Sequence, residues 1–307
     1  MGKATREAYG EALAELIVEN PKIVVLDADL AGSTKTGLAK KACPERFFDM
    51  GIAEADMIGH AAGLAASGYT AFASSFAMFA SGRAWEQIRN SVAYPHLNVK
   101  VCATHAGISV GEDGVSHQAI EDIALMRVIP GMEVYVPCDA AETKAVIRYV
   151  ASTNKPAYVR LGRSGVEDVY SEDTKFDFSK VRVVREGTDA VVFACGMEVQ
   201  AALEAAKKLE AEGVSLEVVD VCAIKPADES GIVEILKKFD KVFTAEEHSV
   251  IGGLGGLIAE VSTANEPKKI HRMGIKDRYA ESGEASALMH KYGLDGEGLY
   301  KEIKENL

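Results

Sequence analysis

Residues 99–118 read VKVCATHAGISVGEDGVSHQ, a short apolar run followed by a loop rich in glycine, histidine and carboxylate side chains. The apolar run, Val99–Ala103, predicts a buried β-strand. Ligands of open parallel sheets bind at the carboxyl ends of the strands, so the loop after this strand is a candidate site. Its glycines let the backbone approach a ligand, and His105, Asp113 and His117 can exchange protons or hydrogen bond to hydroxyl groups. An ordinary solvated loop is the alternative, and the histidine spacing predicts no metal site.

The strand at 99–103 belongs to an alternation of short apolar runs with segments of helical period that continues along the chain. In the first half, this pattern predicts helices at 5–18, 53–66, 83–92, 120–128 and 140–151, and strands at 23–26, 70–73, 99–103, 133–136 and 157–160. Residues 166–180 are polar and weakly periodic, which predicts a linker between a first domain at 1–165 and a second at 181–307. The second half predicts strands at 190–194, 215–219, 241–244 and 269–271, and helices at 198–211, 230–238, 256–262 and 284–292. Such alternation favours an α/β fold of two domains with mostly parallel sheets.

The composition narrows the class of protein further. The chain has 307 residues, of which 48% are hydrophobic, and a formal net charge of -12. This length suits two domains better than one core, and the negative charge disfavours binding to nucleic acid or to an acidic membrane surface. Residues 1–9 are charged and contain no apolar core of signal-peptide length, no run of about 18 apolar residues appears, and the five cysteines are scattered. We therefore expect a soluble, cytoplasmic protein without nucleic-acid or membrane partners.

Two further segments carry candidate functional side chains. Glu54 follows Gly51, Ile52 and Ala53 at the predicted start of a helix, where the helix dipole favours a carboxylate, so a purely structural role would explain it. Phe76 and Phe79 are three residues apart and would share one face of a helical turn. Such a pair is typical of a hydrophobic core, although a planar cofactor ring can also stack on one of its members. Neither segment alone identifies a function.

The glycine-rich stretch at 246–256 is close to a dinucleotide-binding fingerprint but does not satisfy it. Counted from Gly253, the pattern places Gly255 correctly and then Ile258 where glycine or alanine is required. We interpret these glycines as allowing tight packing or a close contact between subunits. The sequence also contains no Walker A segment, HExxH motif or G-x-S-x-G elbow.

Taken in chain order, these segments resemble the transketolase family over essentially the whole sequence. Glu54, the Phe76 and Phe79 pair, and the loop at 105–117 follow one another in the family's order and approximate spacing. Residues 4–6, 27–33, 160–163 and 246–256 are also similar to family segments. The resemblance implies the pyrimidine-binding domain of a thiamine-diphosphate enzyme at 1–165 and a transketolase C-terminal domain at 181–307.

The resemblance also implies a role for each candidate residue. Glu54 would share a proton with the pyrimidine ring of thiamine diphosphate and so activate the cofactor, while Phe79 and, less directly, Phe76 would stack on that ring. Asp113 and His117 would hydrogen bond to substrate hydroxyl groups, and His117 is a second catalytic candidate. The substrate phosphate would be held by Arg6, Ser33, His105 and Arg163. The implied reaction transfers a two-carbon ketol unit from a ketose phosphate to an aldose phosphate.

Full-length members of the family carry a further N-terminal domain, whose Gly-Asp-Gly segment and a distant asparagine bind the diphosphate and Mg²⁺. This sequence contains no Gly-Asp-Gly. The resemblance therefore implies a partner, an N-terminal transketolase subunit that supplies the diphosphate and metal site, and no metal ligand is expected from this chain. The cofactor would lie between the two chains, and two copies of each are expected to form a heterotetramer.

Two features depart from the pattern of full-length transketolases. Gly82 replaces a third aromatic residue near the pyrimidine ring, so the ring pocket must be closed in another way. The stretch RAWEQ at 83–87 is closer to the deoxyxylulose-phosphate synthase branch, which leaves the sugar donor and acceptor open, sulfosugar phosphates included. The alternatives are a β subunit of a 2-oxo-acid dehydrogenase, an enzyme similar to deoxyxylulose-phosphate synthase, and a non-catalytic scaffold subunit.

Overall fold

In the computed structural model, which describes residues 2–307, the strands form one seven-stranded and one five-stranded sheet. The strands of the first half are β1 (Ile23–Asp27), β2 (Phe47–Asp49), β3 (Thr70–Ser74), β4 (Val99–Ala103), β5 (Glu133–Tyr135) and β6 (Ala157–Arg160). Those of the second half are β7 (Arg182–Arg185), β8 (Ala190–Ala194), β9 (Leu216–Asp220), β10 (Ala223–Lys225), β11 (Val242–Ser249) and β12 (Ile270–Ile275).

The larger sheet has the strand order β10-β5-β6-β4-β3-β1-β2 and is parallel except for β10. The smaller sheet has the order β12-β11-β8-β9-β7 and is parallel except for β7. Strands β1, β3 and β4 are buried at every position, because helices cover both faces of a crossover-connected sheet. The predicted α/β class with mostly parallel sheets is confirmed.

Helices alternate with the strands and supply the covering layers. In the first half these are α1 (Thr5–Glu19), α2 (Ala31–Thr34), α3 (Gly37–Ala42), α4 (Glu54–Ala66), α5 (Trp85–Gln87), α6 (Asp122–Arg127) and α7 (Ala140–Ser152). In the second half they are α8 (Glu198–Glu210), α9 (Glu229–Leu236), α10 (Leu254–Asn265), α11 (Ala285–Tyr292) and α12 (Gly296–Asn306). In α1, for example, Tyr9, Leu13, Leu16 and Ile17 recur at helical spacing and are buried, which orients the helix on the sheet.

The apolar core is continuous between the two sheets. One cluster of buried residues packs Met57 and Ile88 of the first half together with Phe193, Val219 and Ile258 of the second half. Two further clusters fill the outer faces, one beneath α1 and α7 and the other beneath α8 and α12. The shared apolar cluster holds the second half against the first, and so positions it near the loops at the carboxyl edge of the larger sheet.

The structure differs from the predicted elements at three places. The helix predicted at 83–92 is a longer helical segment in which two π-helical turns, Met78–Arg83 and Ile88–Ala93, flank α5. Strand β10 lies in the second half of the sequence but pairs with β5 of the larger sheet. The sequence pattern also missed β2, β7, α2, α3 and α12. Residues 166–180 contain no helix or strand; the domain bounds at 165 and 181 stay a prediction.

No helix among residues 2–307 is both long and apolar enough to cross a membrane.

Candidate functional site

The predicted site residues gather at the carboxyl edge of the larger sheet, where ligands of such sheets bind. Strands β1, β3, β4 and β6 are neighbours in the sheet, and the segment after each strand carries candidates. Ser33, in α2, therefore lies at the same edge as the loop residues Phe76, His105 and Arg163, and Arg6 enters from the first turn of α1. An isolated parallel bridge joins Phe76 to Thr104, which fixes the loop after β3 beside the loop after β4.

Glu54 is the first residue of α4 and is only 1% exposed. Its Oε2 accepts a hydrogen bond from Nη1 of Arg83 at 2.6 Å, and its Oε1 accepts one from Oγ of Ser75 at 3.3 Å. The arginine side chain is 50% exposed, so this ion pair has one buried and one half-exposed member. A carboxylate held in this way is desolvated and directed by donors on one side, which suits a group that exchanges a proton with a ligand.

Aromatic rings form a continuous surface next to Glu54. The rings of Phe76 and Phe79 lie 6.2 Å apart between centroids with their planes 15° apart, and His105 stacks on Phe76 at 3.9 Å. His117 meets Phe79 edge-on at 5.1 Å and Phe76 at 6.2 Å. The guanidinium of Arg83 lies over the ring of Phe79, with Cζ 4.9 Å from the centroid. Flat apolar faces with polar edges are the geometry that stacking with a planar ring requires.

His105 lies between this aromatic surface and a group of cations. Burial, together with the charges of Arg6 and Arg163, lowers the pKa of His105 to about 3, so the ring is neutral near pH 7. Nη1 of Arg6 lies 3.3 Å from Nε2, and Nδ1 lies 2.8 Å from Oγ1 of Thr104. Because a guanidinium only donates, Nε2 is the acceptor and Nδ1 carries the hydrogen. The positive charge of Lys35 also acts on the ring.

Arg6 is positioned to bind more than its present partners. Its Nη1 donates to the carbonyl of Ser33 at 2.9 Å, while its Nε is buried without a hydrogen-bond partner among residues 2–307. Burial lowers the pKa of the guanidinium. A buried donor without a partner is uncommon and indicates that a ligand or water completes the site. Arg163 is close enough for its charge to act on Arg6. Its Nη1 donates to the carbonyl of Val110 and, at 3.1 Å, to the carboxylate of Glu112.

Two predicted residues are placed less tightly. Ser33 is half-buried and contacts Arg6 through its backbone carbonyl. Asp113 is exposed on the loop after β4 and forms no side-chain hydrogen bond in the part of the chain that the structure describes. The structure therefore brings both phenylalanines, both histidines and Arg6 into contact, and it links Glu54 to Phe79 through Arg83. Ser33 and Arg163 lie beside Arg6, and Asp113 lies on the same loop as His105 and His117.

The loop after β4 is held by the second half of the chain. Gly107, Gly111 and Gly114 all have positive φ angles, which explains the glycines in this stretch. The buried carboxylate of Glu247, on β11, lies against Gly107 and accepts a hydrogen bond from the backbone N–H of Ser109 at 2.5 Å. Burial raises the pKa of Glu247. The stretch at 246–256 thus serves tight packing, as the sequence predicted, since a Cβ on Gly253 would lie 2.0 Å from Oε2 of Glu246.

Arg160 ties the two halves together behind the loop. It is buried, donates through Nε to Asp122 at 2.8 Å, and donates through Nη2 to the carbonyls of Ala119 and Glu247 at 3.2 and 2.9 Å. The sequence predicted no role for five residues that constrain this site: Arg160, Glu247, Ser75, Arg83 and Lys35. The position of Arg83, four residues after Phe79, was the available signal for that residue, because such pairs meet on a helix.

A separate group of buried acids lies between the halves. The ligand atoms of Cys138, Glu142 and Asp220 are within 4.8 Å of one another, a set that could hold a metal ion. Oδ2 of Asp220 accepts a hydrogen bond from the hydroxyl of Tyr170 at 2.7 Å. Burial raises the pKa of Asp220 to about 6 and raises the pKa of Glu142. Protonation of one carboxyl group therefore accounts for the cluster without an ion.

Comparison with known proteins agrees with this geometry. Residues 1–168 match the family described as "Transketolase, pyrimidine binding domain", and residues 179–299 match "Transketolase, C-terminal domain". A Methanocaldococcus jannaschii protein named for a transketolase C-terminal section is 52% identical, with 99% of this chain and 96% of that protein covered. The 6-deoxy-6-sulfo-D-fructose transketolase subunit SqwH of a Clostridium species is 39% identical, with 98% and 93% covered.

A solved structure is also similar over the full length. It is described as a split gene transketolase, an inactive beta4 tetramer, and it is 52% identical with a TM-score of 0.90. The superposition covers 100% of this chain and 99% of that chain. The two-domain arrangement of the present chain is therefore the arrangement of that protein.

Proposed function

Because this chain belongs to the transketolase family, we propose that it is the pyrimidine-binding subunit of a split, thiamine-diphosphate-dependent transketolase. The proposed reaction transfers a two-carbon ketol unit from a ketose phosphate to an aldose phosphate. The observation that carries the proposal is the buried carboxylate of Glu54 beside the ring surface of Phe76 and Phe79. Relatives named as sections or subunits, which match this chain nearly end to end, support the split arrangement.

The residues of this site fit the aminopyrimidine half of the cofactor. Glu54 offers a desolvated carboxylate that can share a proton with a ring nitrogen, and the half-buried ring of Phe79 offers a face for stacking. When bound, thiamine diphosphate supplies a carbanion-forming carbon, which is the chemistry that ketol transfer needs. The role of Glu54 is to hold or give up a proton at Oε1 or Oε2. The aromatic surface excludes water around that proton.

The cationic side of the site fits a sugar phosphate. Arg6 has an unpartnered buried donor, and the charges of Arg163 and Lys35 are close by. Substrate oxygens can replace Nε2 of His105 as the acceptor for Arg6. The neutral ring then bonds to the phosphate as the Nε2–H tautomer, with Nδ1 accepting from the hydroxyl of Thr104. We assign the substrate phosphate to Arg6, Ser33, His105 and Arg163. We assign substrate hydroxyl groups to Asp113 and His117, the latter also as a candidate for proton transfer.

We further propose that an N-terminal transketolase subunit supplies the Mg²⁺ and diphosphate contacts, and that two copies of each chain form a heterotetramer. Large apolar side chains on the segment leading to Glu54 are exposed, Phe48 by 40% and Ile52 by 77%. Exposed apolar groups beside a functional site are typical of a subunit contact. The similar split gene protein is described as inactive as a beta4 tetramer, which agrees with a requirement for a second kind of chain. The cytoplasm remains the proposed location, and all five cysteines are buried and free.

Reconstitution with the partner chain tests the proposed reaction. The complex is expected to transfer ketol units between sugar phosphates and not to turn over pyruvate. Glu54→Gln should lower the rate by roughly a hundredfold or more, in the range expected for loss of a general acid–base group. Asp56→Asn, an exposed change in the same helix turn, is the matched control. Pyruvate turnover would favour a 2-oxo-acid dehydrogenase or a deoxyxylulose-phosphate-synthase-like enzyme, and full activity of Glu54→Gln would favour a scaffold.

A further inference from the structure

The guanidinium of Arg83 makes two contacts that the site chemistry does not explain. Its Nη1 donates to the buried carboxylate of Glu54 at 2.6 Å, and its Cζ lies 4.9 Å from the ring centroid of Phe79. The arginine side chain as a whole is 50% exposed. A long, half-exposed cation therefore covers both the acid and the ring face that the proposed function assigns to the cofactor.

The local helix geometry produces this placement. Met78–Arg83 is a π-helical turn, and residues four apart in it lie on the same side, so Arg83 comes next to Phe79. Gly82 has no side chain to cover the ring, and a Cβ there would lie 3.0 Å from the methyl group of Met78. Because Gly82 stands in place of a third aromatic residue, the ring face of Phe79 is open to the side chain of the next residue, Arg83.

A guanidinium and an aminopyrimidine ring have similar requirements. Both are planar, both present N–H groups to a carboxylate, and both stack on aromatic faces. Oε1 of Glu54 accepts the 3.3 Å hydrogen bond from Ser75, Oε2 accepts the hydrogen bond from Arg83, and the same guanidinium lies over the ring of Phe79. A pyrimidine ring that stacks on this face of Phe79 and bonds to Oε2 therefore takes the place of the guanidinium.

We propose that Arg83 competes with the pyrimidine ring of the cofactor for Glu54 and Phe79, and so sets the affinity of the assembled site for thiamine diphosphate. This inference rests on the proposed function. Binding of the cofactor displaces the guanidinium toward solvent, where half of the side chain already lies. The ion pair also has a protective role, because a buried carboxylate that loses its cation is strongly destabilised.

The proposal predicts opposite effects of one substitution on two measurements. Arg83→Met keeps much of the apolar stem but removes the donors. The affinity of the reconstituted complex for thiamine diphosphate should then rise by roughly tenfold, because the arginine side chain no longer occupies the cofactor site in a fraction of the molecules. The melting temperature of the same complex without thiamine diphosphate should fall. A purely structural arginine would lower the melting temperature and leave the affinity unchanged or weaker.

Isothermal titration of thiamine diphosphate with Mg²⁺ into the complex provides the test. Arg83→Lys, which keeps the charge but loses the planar fork, should give an affinity between those of the wild type and Arg83→Met. Arg89→Met, an exposed change in the same helical segment, is the control and should alter neither measurement.

Two results separate the failure of this proposal from the failure of the proposed function. If Arg83→Met and Arg83→Lys bind thiamine diphosphate no more tightly than the wild type while Glu54→Gln binds it more weakly, competition is wrong and the site assignment stands. If all three variants bind it like the wild type, Glu54 is not a cofactor ligand and both proposals are wrong.

Discussion

Replacement of Gly107 by alanine tests how the second half of the chain holds the site loop. Gly107 has φ +81° and ψ -170°, a conformation open almost exclusively to glycine, so a side chain there costs about 1–3 kcal/mol. The new Cβ would lie 2.2 Å from Cδ of Glu247 and 2.3 and 2.4 Å from its carboxylate oxygens. The carboxylate must move and lose its bond from the Ser109 N–H, which adds about 1.5–3 kcal/mol for a charged hydrogen bond. The total is about 2.5–6 kcal/mol.

Urea denaturation at one fixed protein concentration measures this loss. Gly293→Ala is the matched control, because Gly293 has φ +70° and ψ 28° and a Cβ there would meet no other part of residues 2–307 within 4 Å. Only a backbone penalty of about 1–2 kcal/mol therefore applies. The double mutant Gly107→Ala with Glu247→Ala separates the two contributions. Once the carboxylate is gone, Gly107→Ala should lose only the backbone part. Equal losses for Gly107→Ala and Gly293→Ala, or an unchanged loss in the double mutant, would refute the anchoring of the loop by Glu247.

Three further predictions concern buried ionisable groups. Arg160→Met leaves a buried carboxylate without its cation and should lower the free energy of unfolding by about 3–5 kcal/mol in urea, whereas Arg148→Met, at a surface ion pair, should change it by less than about 1 kcal/mol. The pKa of His105 in the folded protein, about 3, lies below its unfolded value, so the free energy of unfolding falls as the pH drops through about 6.5. His105→Gln should reduce the loss of this free energy measured between pH 7 and pH 5. An unreduced loss would contradict a neutral buried ring. Burial raises the pKa of Glu142 in the folded protein above its unfolded value of 4.5, so the contribution of this group to the stability of the folded state is lost as the pH rises. Glu142→Gln should therefore raise the melting temperature more at pH 8 than at pH 5. The exposed control Glu172→Gln should show no such difference.

The sequence predicted most of the fold because its signals were local. Mostly apolar runs such as Val99–Ala103 and Ala157–Arg160 are recovered with their bounds, since strands buried on both faces consist largely of apolar residues. Strand β10 was missed because three residues carry no period, and its pairing with β5 is decided by tertiary packing. The two π-helical turns were missed for a related reason, since an inserted residue disturbs the 3.6-residue period by which helices are recognised.

The sequence predicted many of the residues of the candidate site but few of the contacts between them. The order of loops along one sheet edge brings Phe76, Phe79, His105 and His117 together. Glu54 is linked to them through Ser75 and Arg83. The residues that hold these side chains in place were harder to predict from the sequence. Glu247 reaches the loop at 107–109 from 138 positions further along the chain, and no local pattern encodes such a separation. Arg83 was visible in the sequence, but its contact with Glu54 depends on a π-helical turn.

The split site at Glu54 is tested most directly by titration calorimetry of thiamine diphosphate with Mg²⁺ into this chain alone, into the N-terminal partner chain alone, and into their mixture. The mixture should bind roughly a hundredfold more tightly than either chain, because each supplies part of the contacts to one ligand. Glu54→Gln should remove most of that gain, while Asp56→Asn should preserve it. Tight, Mg²⁺-dependent binding by this chain alone, or a mixture whose affinity does not respond to Glu54→Gln, would contradict the assignment of Glu54 to a cofactor site shared between two subunits.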